Sequence, residues 1–393
     1  MFKKFDQNHI IMAAALVVSA VIRAFCFRHE SHDYTDFLLP WVEEFRAGGG
    51  LAALASTVSN YNLPYLYFLA LISYLPESCD LYLIKLLSVA FDAVLAAALY
   101  RIVLPRSKRA AAWAFSAALL LPTFILNSAY WGQCDSIYAA FCLLAFERAV
   151  NDKPKASVVM AGIAFAFKLQ AVFFLPFFLV LLAAKRVKLW HAALFPLPYV
   201  LLSLPALAFG WTPGRIIGIY TGQAEIYSGF LTLNAPSVYT FIPTDASNPY
   251  HNMWGGYFYI GLALAALFCL SVAAFAYVKR GGLDTARLAG LAAVITLGVP
   301  WLLPAMHDRY FYLAEAFMLL YAALRPRYAF LPVLVTAGSF GGYHAYLVLY
   351  TRSAGLWPFA LLLLLALVAA CRTLARRQGE RENQNLLEKG ADI

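Results

Sequence analysis

Residues 28 to 41 read Arg28-His29-Glu30-Ser31-His32-Asp33-Tyr34-Thr35-Asp36-Phe37-Leu38-Leu39-Pro40-Trp41. Three acids and two histidines fall just past the first long apolar run of an otherwise oily sequence. A carboxylate in this position, Asp33 above all, has the chemistry of a general base. Within hydrogen-bond reach of a hydroxyl it removes the proton as the oxygen attacks. Further polar groups punctuate later apolar runs: Trp131, Gln133 and Asp135; Lys168 and Gln170; His307, Asp308 and Arg309. His307 and Arg309, two residues apart, are the kinds of donor that hold an anion. Plainer explanations stand beside these. Asp33 and Asp36 read equally well as solvated loop acids, Trp131 as an aromatic-belt residue and Asp135 as a helix cap. Lys168 is harder to explain away, because a structural lysine snorkels from a helix end and does not interrupt an apolar run.

The elements that must position these residues belong to a membrane. Of 393 residues, 62% are hydrophobic and only 13% charged, about half the charged fraction of soluble domains; the mean hydropathy is +0.68. Several continuous apolar runs approach the ~20 residues that cross a bilayer as a helix, and continuity without alternation excludes a β-barrel. The fold class is therefore an all-α polytopic membrane protein. The net charge of +9 is spread between apolar runs, which is the positive-inside pattern and not a nucleic-acid surface. Six cysteines without a CxxC suggest neither a metal site nor a disulfide framework. Cys79 and Cys134 are the one pair that could both face outward, with unpaired thiols the simpler expectation. No cofactor is implied. The outer acids could take a divalent cation, but they form no tight ligand cluster.

Threading by length and charge predicts about twelve transmembrane helices. They are 10–27, 81–104, 110–128, 135–149, two short helices within 156–184 turning near Lys168, 189–209, 256–278, 288–304, 311–324, 328–349 and 355–371. The run 63–76 is only ~21 Å long as a helix, too short for a ~30 Å core. With 37–47 it is expected as an interfacial helix inside a first outer loop, 28–80. A second large outer loop covers 210–255, where Tyr220, Tyr227, Tyr239 and Tyr250 offer an acceptor wall. The whole reads as one membrane domain, 1–371, with a charged cytoplasmic tail, 372–393, and both termini cytoplasmic. Arg23 and Asp92 fall within hydrocarbon and are expected to pair with each other or with Lys85.

Taken in order, Asp33-Tyr34 with Trp41, Tyr61-Asn62-Leu63-Pro64-Tyr65, Tyr130-Trp131-Gly132-Gln133-Cys134-Asp135-Ser136, Phe167-Lys168-Leu169-Gln170 and Met306-His307-Asp308-Arg309-Tyr310 resemble the GT-C superfamily of membrane glycosyltransferases. The resemblance covers most of residues 10–325. It is nearest to bacterial proteins related to the GPI mannosyltransferases, and more distant from the dolichyl-phosphate-glucose-dependent glucosyltransferases. It implies a polyprenyl-phosphate-sugar-dependent hexosyltransferase of the cell envelope, in the bacterial inner membrane. Such an enzyme moves a hexose, mannose or glucose first, to a hydroxyl of a glycan or lipid-linked acceptor on the non-cytoplasmic face, with inversion. Asp33 matches the family's base. Lys168, Gln170, His307 and Arg309 become donor-phosphate ligands, and Asp36, Tyr34, Trp131, Gln133 and Asp135 candidate contacts to sugar or acceptor. Many relatives carry adjacent acids, whereas Asp36 is offset by three, which weakens it as a co-catalyst. The rival class is a secondary transporter, which shares the helix count but shows repeated halves around a midplane site. A flippase or ligase for lipid-linked glycans would share the outward polar loops and differ in not releasing sugar from a polyprenyl-phosphate hexose.

Overall fold

The computed structural model describes residues 6–56, 59–226, 230–242, 254–349 and 355–376. Helices make up the architecture because a backbone in lipid must satisfy its own hydrogen bonds. They are α1 (Gln7–Cys26), α2 (Leu39–Ala47), α3 (Leu63–Ile72), α4 (Asp80–Val103), α5 (Lys108–Leu120), α6 (Pro122–Ile125), α7 (Asp135–Val150) and α8 (Pro154–Phe167). There follow α9 (Phe177–Ala183), α10 (Pro196–Ala208), α11 (Pro213–Ile226), α12 (Trp254–Val278), α13 (Thr285–Leu302), α14 (Tyr312–Leu324), α15 (Phe330–Leu347) and α16 (Trp357–Ala375). The protein is an all-α polytopic membrane protein. Among the described residues, six stretches are long and apolar enough to cross a bilayer: Gln7–Cys26, Glu77–Val103, Leu189–Ala208, Gly256–Val278, Thr285–Leu302 and Trp357–Ala375. The pair Lys108–Leu120 and Pro122–Trp131, bent by 47°, makes a seventh if counted as one. Other segments of the expected twelve are shorter, such as α8 and α14, and α14 is enclosed by its neighbours.

Two local outcomes differ from the sequence reading, and a third agrees with it. The expected straight helix 110–128 is broken: Leu121 is extended (φ −63°, ψ 123°), because Pro122 excludes the helical conformation from the residue before it. The second half continues as α6 and a π-helical turn, Leu126–Trp131, closed by Gly132 at φ +83°. The expected loop 210–255 contains a helix, α11, with Pro213 at its start. In the region 156–184 the break falls at Lys168, as expected. Its backbone is extended (φ −154°, ψ 133°) between α8 and the 3₁₀ turn Leu169–Phe173. Residues 377–393, most of the expected tail, lie outside the described residues, as do Tyr227 and Tyr250.

The apolar interior has two parts. The main core is built by α4, α5, α7–α9 and α12–α16, with α13 buried along most of its length. A second cluster is formed by residues 34–72, with Tyr34, Leu38, Val42, Phe45, Leu66 and Leu69 packed on Cys134, Ile137 and Trp211. The first loop therefore folds on a core of its own. Its α3 is too short to span and is enclosed by α2, α4, α8 and α10. Lys85 ties this loop to the bundle: its ammonium donates to the carbonyls of Cys26 (3.0 Å), Phe27 (3.3 Å) and His29 at the end of α1. A cation suits the unpaired carbonyls at a helix C-terminus. Lys85 is thus bound to backbone and not to Asp92.

Candidate active site

Asp33 opens the short helical stretch that leads through the π-helical turn Tyr34–Leu38 into α2. Ser31, two residues earlier, anchors the stretch by donating its hydroxyl to the Trp131 carbonyl (2.7 Å). Asp33 is half-buried, and both of its oxygens are engaged. The Tyr346 hydroxyl, on α15, donates to Oδ1 (2.6 Å), and Gln133 Nε2 donates to Oδ2 (2.5 Å). Gln133 is held in turn by the Tyr61 hydroxyl at its Oε1 (3.2 Å). A carboxylate oxygen has two lone-pair sites, so each keeps room for one further donor, such as an incoming hydroxyl.

Asp33 faces a cavity of about 500 Å³, lined also by Asp36, Trp41, Gln133, His307, Asp308 and Arg309. A smaller chamber of about 80 Å³ holds Lys168, Gln170, Gln223 and Tyr310, and shares Asn60, Tyr61, His307 and Arg309 with the first. One wall of both chambers is the segment 305–308, fixed by backbone pairing to residues 231–234. Leu233 N–H donates to the Met306 carbonyl (2.8 Å), and Asp308 N–H to that of Leu233 (2.9 Å). Gly342 of α15 packs against this pairing: a Cβ there would lie 2.8 Å from the Asn234 carbonyl oxygen and 3.0 Å from Asp308 Cα.

The charges are arranged around Asp135, which is fully buried. Lys168 Nζ donates to its Oδ1 (2.6 Å), Asn127 Nδ2 to its Oδ2 (2.7 Å), and Arg309 Nε stands 3.6 Å from Oδ2. Asp135 is thus an ion-pair hub and not the helix cap the sequence also allowed; Cys134 occupies the cap position of α7. The Arg309 guanidinium lies over the Trp131 ring (4.9 Å) and 3.5 Å from Asp308. Burial works against the charge of Arg309, but Asp308, Asp135 and Asp33 more than offset it and hold its pKa above the ordinary value. Burial, with the charges of Asp33 and Asp135, outweighs Arg309 at Asp308 and pushes that carboxyl up to about 7. Burial and the neighbouring Arg309 and Lys168 push His307 well below the usual imidazole range. His307 can therefore offer a phosphate a hydrogen bond but not the positive charge expected of it at neutral pH.

The remaining sequence candidates separate by position. Gln170 donates to the Tyr310 hydroxyl (2.7 Å), and its buried Oε1 has no hydrogen-bond partner among the described residues. Asp36 is exposed at the rim, hydrogen-bonded by its neighbour Thr35 (3.2 Å). Tyr34 points into the second core, where burial pushes its hydroxyl up to about 12; it does not line either chamber. Trp131 is fully buried, so it is neither a belt residue nor a direct contact and serves as the face on which Arg309 rests. Tyr220 turns inward, donating to the Phe165 carbonyl (2.9 Å), and Tyr239 donates to that of Leu302 (2.9 Å); neither forms an acceptor wall. Cys79 and Cys134 are both free thiols. Among the described residues no three His, Cys, Asp or Glu side chains converge as a metal site.

Sequence reasoning missed Tyr346, passed over Tyr61 and gave Asp308 no role. Tyr61 lay within a motif that was noticed, and Asp308 between two chosen residues. Tyr346 sits near the end of an apolar helix, where tyrosines are ordinary.

No curated protein matches the chain significantly. Glycosyltransferase family 87 matches residues 60–304, a span that includes Tyr61, Gln133, Asp135, Lys168 and Gln170 and excludes Asp33, His307 and Arg309. That span is more than half of the chain. The chain belongs to glycosyltransferase family 87, and is an integral membrane glycosyltransferase.

Proposed function

We propose that this glycosyltransferase moves a hexose, mannose or glucose first, from a polyprenyl-phosphate carrier to a hydroxyl of a glycan or lipid-linked acceptor, with Asp33 as general base. The observation that carries the reading is the shared cavity. A carboxylate held at both oxygens stands across from Arg309, with Lys168 in the adjoining chamber. The acceptor hydroxyl gives its proton to Asp33 as its oxygen bonds to the anomeric carbon from the side opposite the phosphate. The carbon–oxygen bond to the phosphate breaks, the electron pair stays on the phosphate, and the sugar inverts. The leaving monoester carries more charge than the diester it came from, and Arg309 and Lys168 stabilise that increase. Gln170 and the neutral His307 supply hydrogen bonds to the same phosphate. Gln133 holds Asp33, and Asp36 meets the acceptor at the rim.

The basic residues of the opposite helix ends, among them Arg106, Lys108, Lys153, Arg186, Lys279 and Arg327, support a cytoplasmic placement of those ends. The site then opens to the non-cytoplasmic side of a bacterial inner membrane. The test is release of sugar by the purified protein from a panel of polyprenyl-phosphate hexoses in detergent, with and without candidate acceptors. Turnover of one donor, lost in Asp33→Asn at unchanged folding, is expected. Near-normal turnover in that variant would end the assignment of the base. A transporter or flippase would move its cargo across liposomes without cleaving it.

A further inference from the structure

Two cations serve the site, and two buried acids answer them. Lys168 is 2.6 Å from Asp135, and Arg309 lies 3.6 Å from Asp135 and 3.5 Å from Asp308. These four charges sum to zero, so an entering phosphate meets no net attraction from them. Asp308 adds a specific obstacle, because it lines the cavity that Arg309 faces and holds the guanidinium the phosphate would need. It cannot relieve this by moving to water. It is 2% exposed, its backbone is hydrogen-bonded to Leu233, and its Cα is backed by Gly342.

We propose that the phosphodiester donor binds together with one proton, which is taken up by the Asp308 carboxylate as Arg309 transfers from Asp308 to the phosphate. This rests on the reading of Arg309 and Lys168 as the donor's phosphate ligands. A carboxylate buried at this depth that loses its cation is costly, and accepting a proton removes the cost. The neighbours point the same way. From the same loop Asp308 faces Arg309 and the neutral His307; from the first loop it feels Asp33, and from α7 Asp135, both negative; from α15 come the neutral phenols Tyr343 and Tyr346. Arg309 is the one cation paired with Asp308 among the described residues. With Asp308 neutral, the four-residue balance becomes +1, matching the single charge of a phosphodiester. The free carboxyl sits at about 7, so the proton is available near physiological pH.

The sign of the pH dependence follows. The protonated form binds, so affinity is full below the free-site value and falls about tenfold per pH unit above it, until the pKa of the bound form is reached. The full-length protein in nanodiscs is titrated calorimetrically with a short-chain isoprenyl hexosyl phosphodiester, whose single charge does not titrate between pH 5.5 and 8.5. Buffers of different ionisation enthalpy count the protons. Uptake approaching one proton per ligand at pH 8 is expected, with a Kd about fivefold weaker than at pH 7. In Asp308→Asn the uptake vanishes and Kd becomes independent of pH. Flat binding without proton uptake by the wild-type protein, while Arg309→Ala still loses the ligand, overturns the inference and leaves the phosphate site standing. Unchanged binding in both Arg309→Ala and Lys168→Ala overturns the phosphate site itself. The wild-type proton count decides even if Asp308→Asn does not fold.

Discussion

A carboxylate gripped at both oxygens is oriented before any substrate arrives, and orientation is where a base acquires its rate. Tyr346 and Gln133 give Asp33 that orientation, and on the proposed reading they act through it as positioning residues. Tyr346→Phe deletes one hydrogen bond to a charged group, an interaction of about 1.5–3 kcal/mol. The expected outcome is a kcat lower by roughly tenfold to a hundredfold with KM little changed, measured by steady-state sugar release at saturating donor. An equal rise in KM would assign Tyr346 to binding instead. Asp33 was legible in the sequence because polar clusters are rare in this chain. Its partner is 313 residues away on another helix, and a tyrosine near the end of an apolar run carries no mark of what it will face. The same limit applied to charge. Lys168 and Arg309 were legible as cations, but their neutralisation by Asp135 and Asp308 depended on which loops converge. Lys168→Ala is therefore expected to cost stability as well as donor affinity, about 3–5 kcal/mol if Asp135 is left uncompensated. Thermal unfolding measured beside donor binding separates the two losses.

Among the elements, apolar length and flanking charge located nearly every helix, since those are the quantities a bilayer selects. What they did not locate was shape within a run. Pro122 stood in plain sight, yet a hydrophobic stretch reads as continuous whether or not its backbone bends. The helix α11 was hidden for the opposite reason. Its segment PGRIIGIYTGQAEI is rich in glycine and β-branched residues that disfavour helix. Tertiary partners override this, for Tyr220 and Gln223 reach Phe165, Asn62 and Asn60. Two glycines show how element contacts tune the site. Gly132 needs its positive φ but has space, the nearest atom to a Cβ being 3.7 Å away; Gly132→Ala should cost about 1–2 kcal/mol of backbone strain and leave a folded, active enzyme. Gly342 is helical, yet a Cβ there would press on the backbone of both Asn234 and Asp308. Gly342→Ala is expected to displace the wall carrying His307, Asp308 and Arg309, with activity falling more steeply than stability. Comparing sugar release with thermal unfolding for the two variants checks this, and an active Gly342→Ala enzyme would show that the wall is not critical.

For the whole molecule, the bend at Pro122 sets a problem that a distant helix solves. It removes the Leu119 carbonyl from the helical ladder, and an unpaired carbonyl within lipid is costly. Arg23 of α1 donates to that carbonyl (2.6 Å), as does Ser19 (3.1 Å), and Arg23 needs a counter-charge at the same depth. Asp92 of α4 supplies it (2.8 Å), and is itself held by the hydroxyls of Ser128 (2.5 Å) and Tyr312 (2.7 Å). One buried network thereby joins α1, α4, α5, the turn Leu126–Trp131 and α14, the elements that carry the loops of Asp33, Gln133 and Arg309. Pairing of Arg23 with Asp92 was expected from the sequence; the carbonyl that calls for it was not, because only the bend exposes it. Removing one charge should be worse than removing both, since a lone ion at this depth is what the network exists to avoid. Asp92→Ala is expected to lower stability by about 3–5 kcal/mol, and the double variant Asp92→Leu with Arg23→Met to recover part of that loss. Thermal unfolding in one detergent, read with sugar release below the transition, decides it. Recovery of stability without activity would mean the network also sets the angle at which the first loop meets the 305–308 wall, and a double variant worse than either single would mean the Leu119 carbonyl, not the charge balance, is the dominant debt.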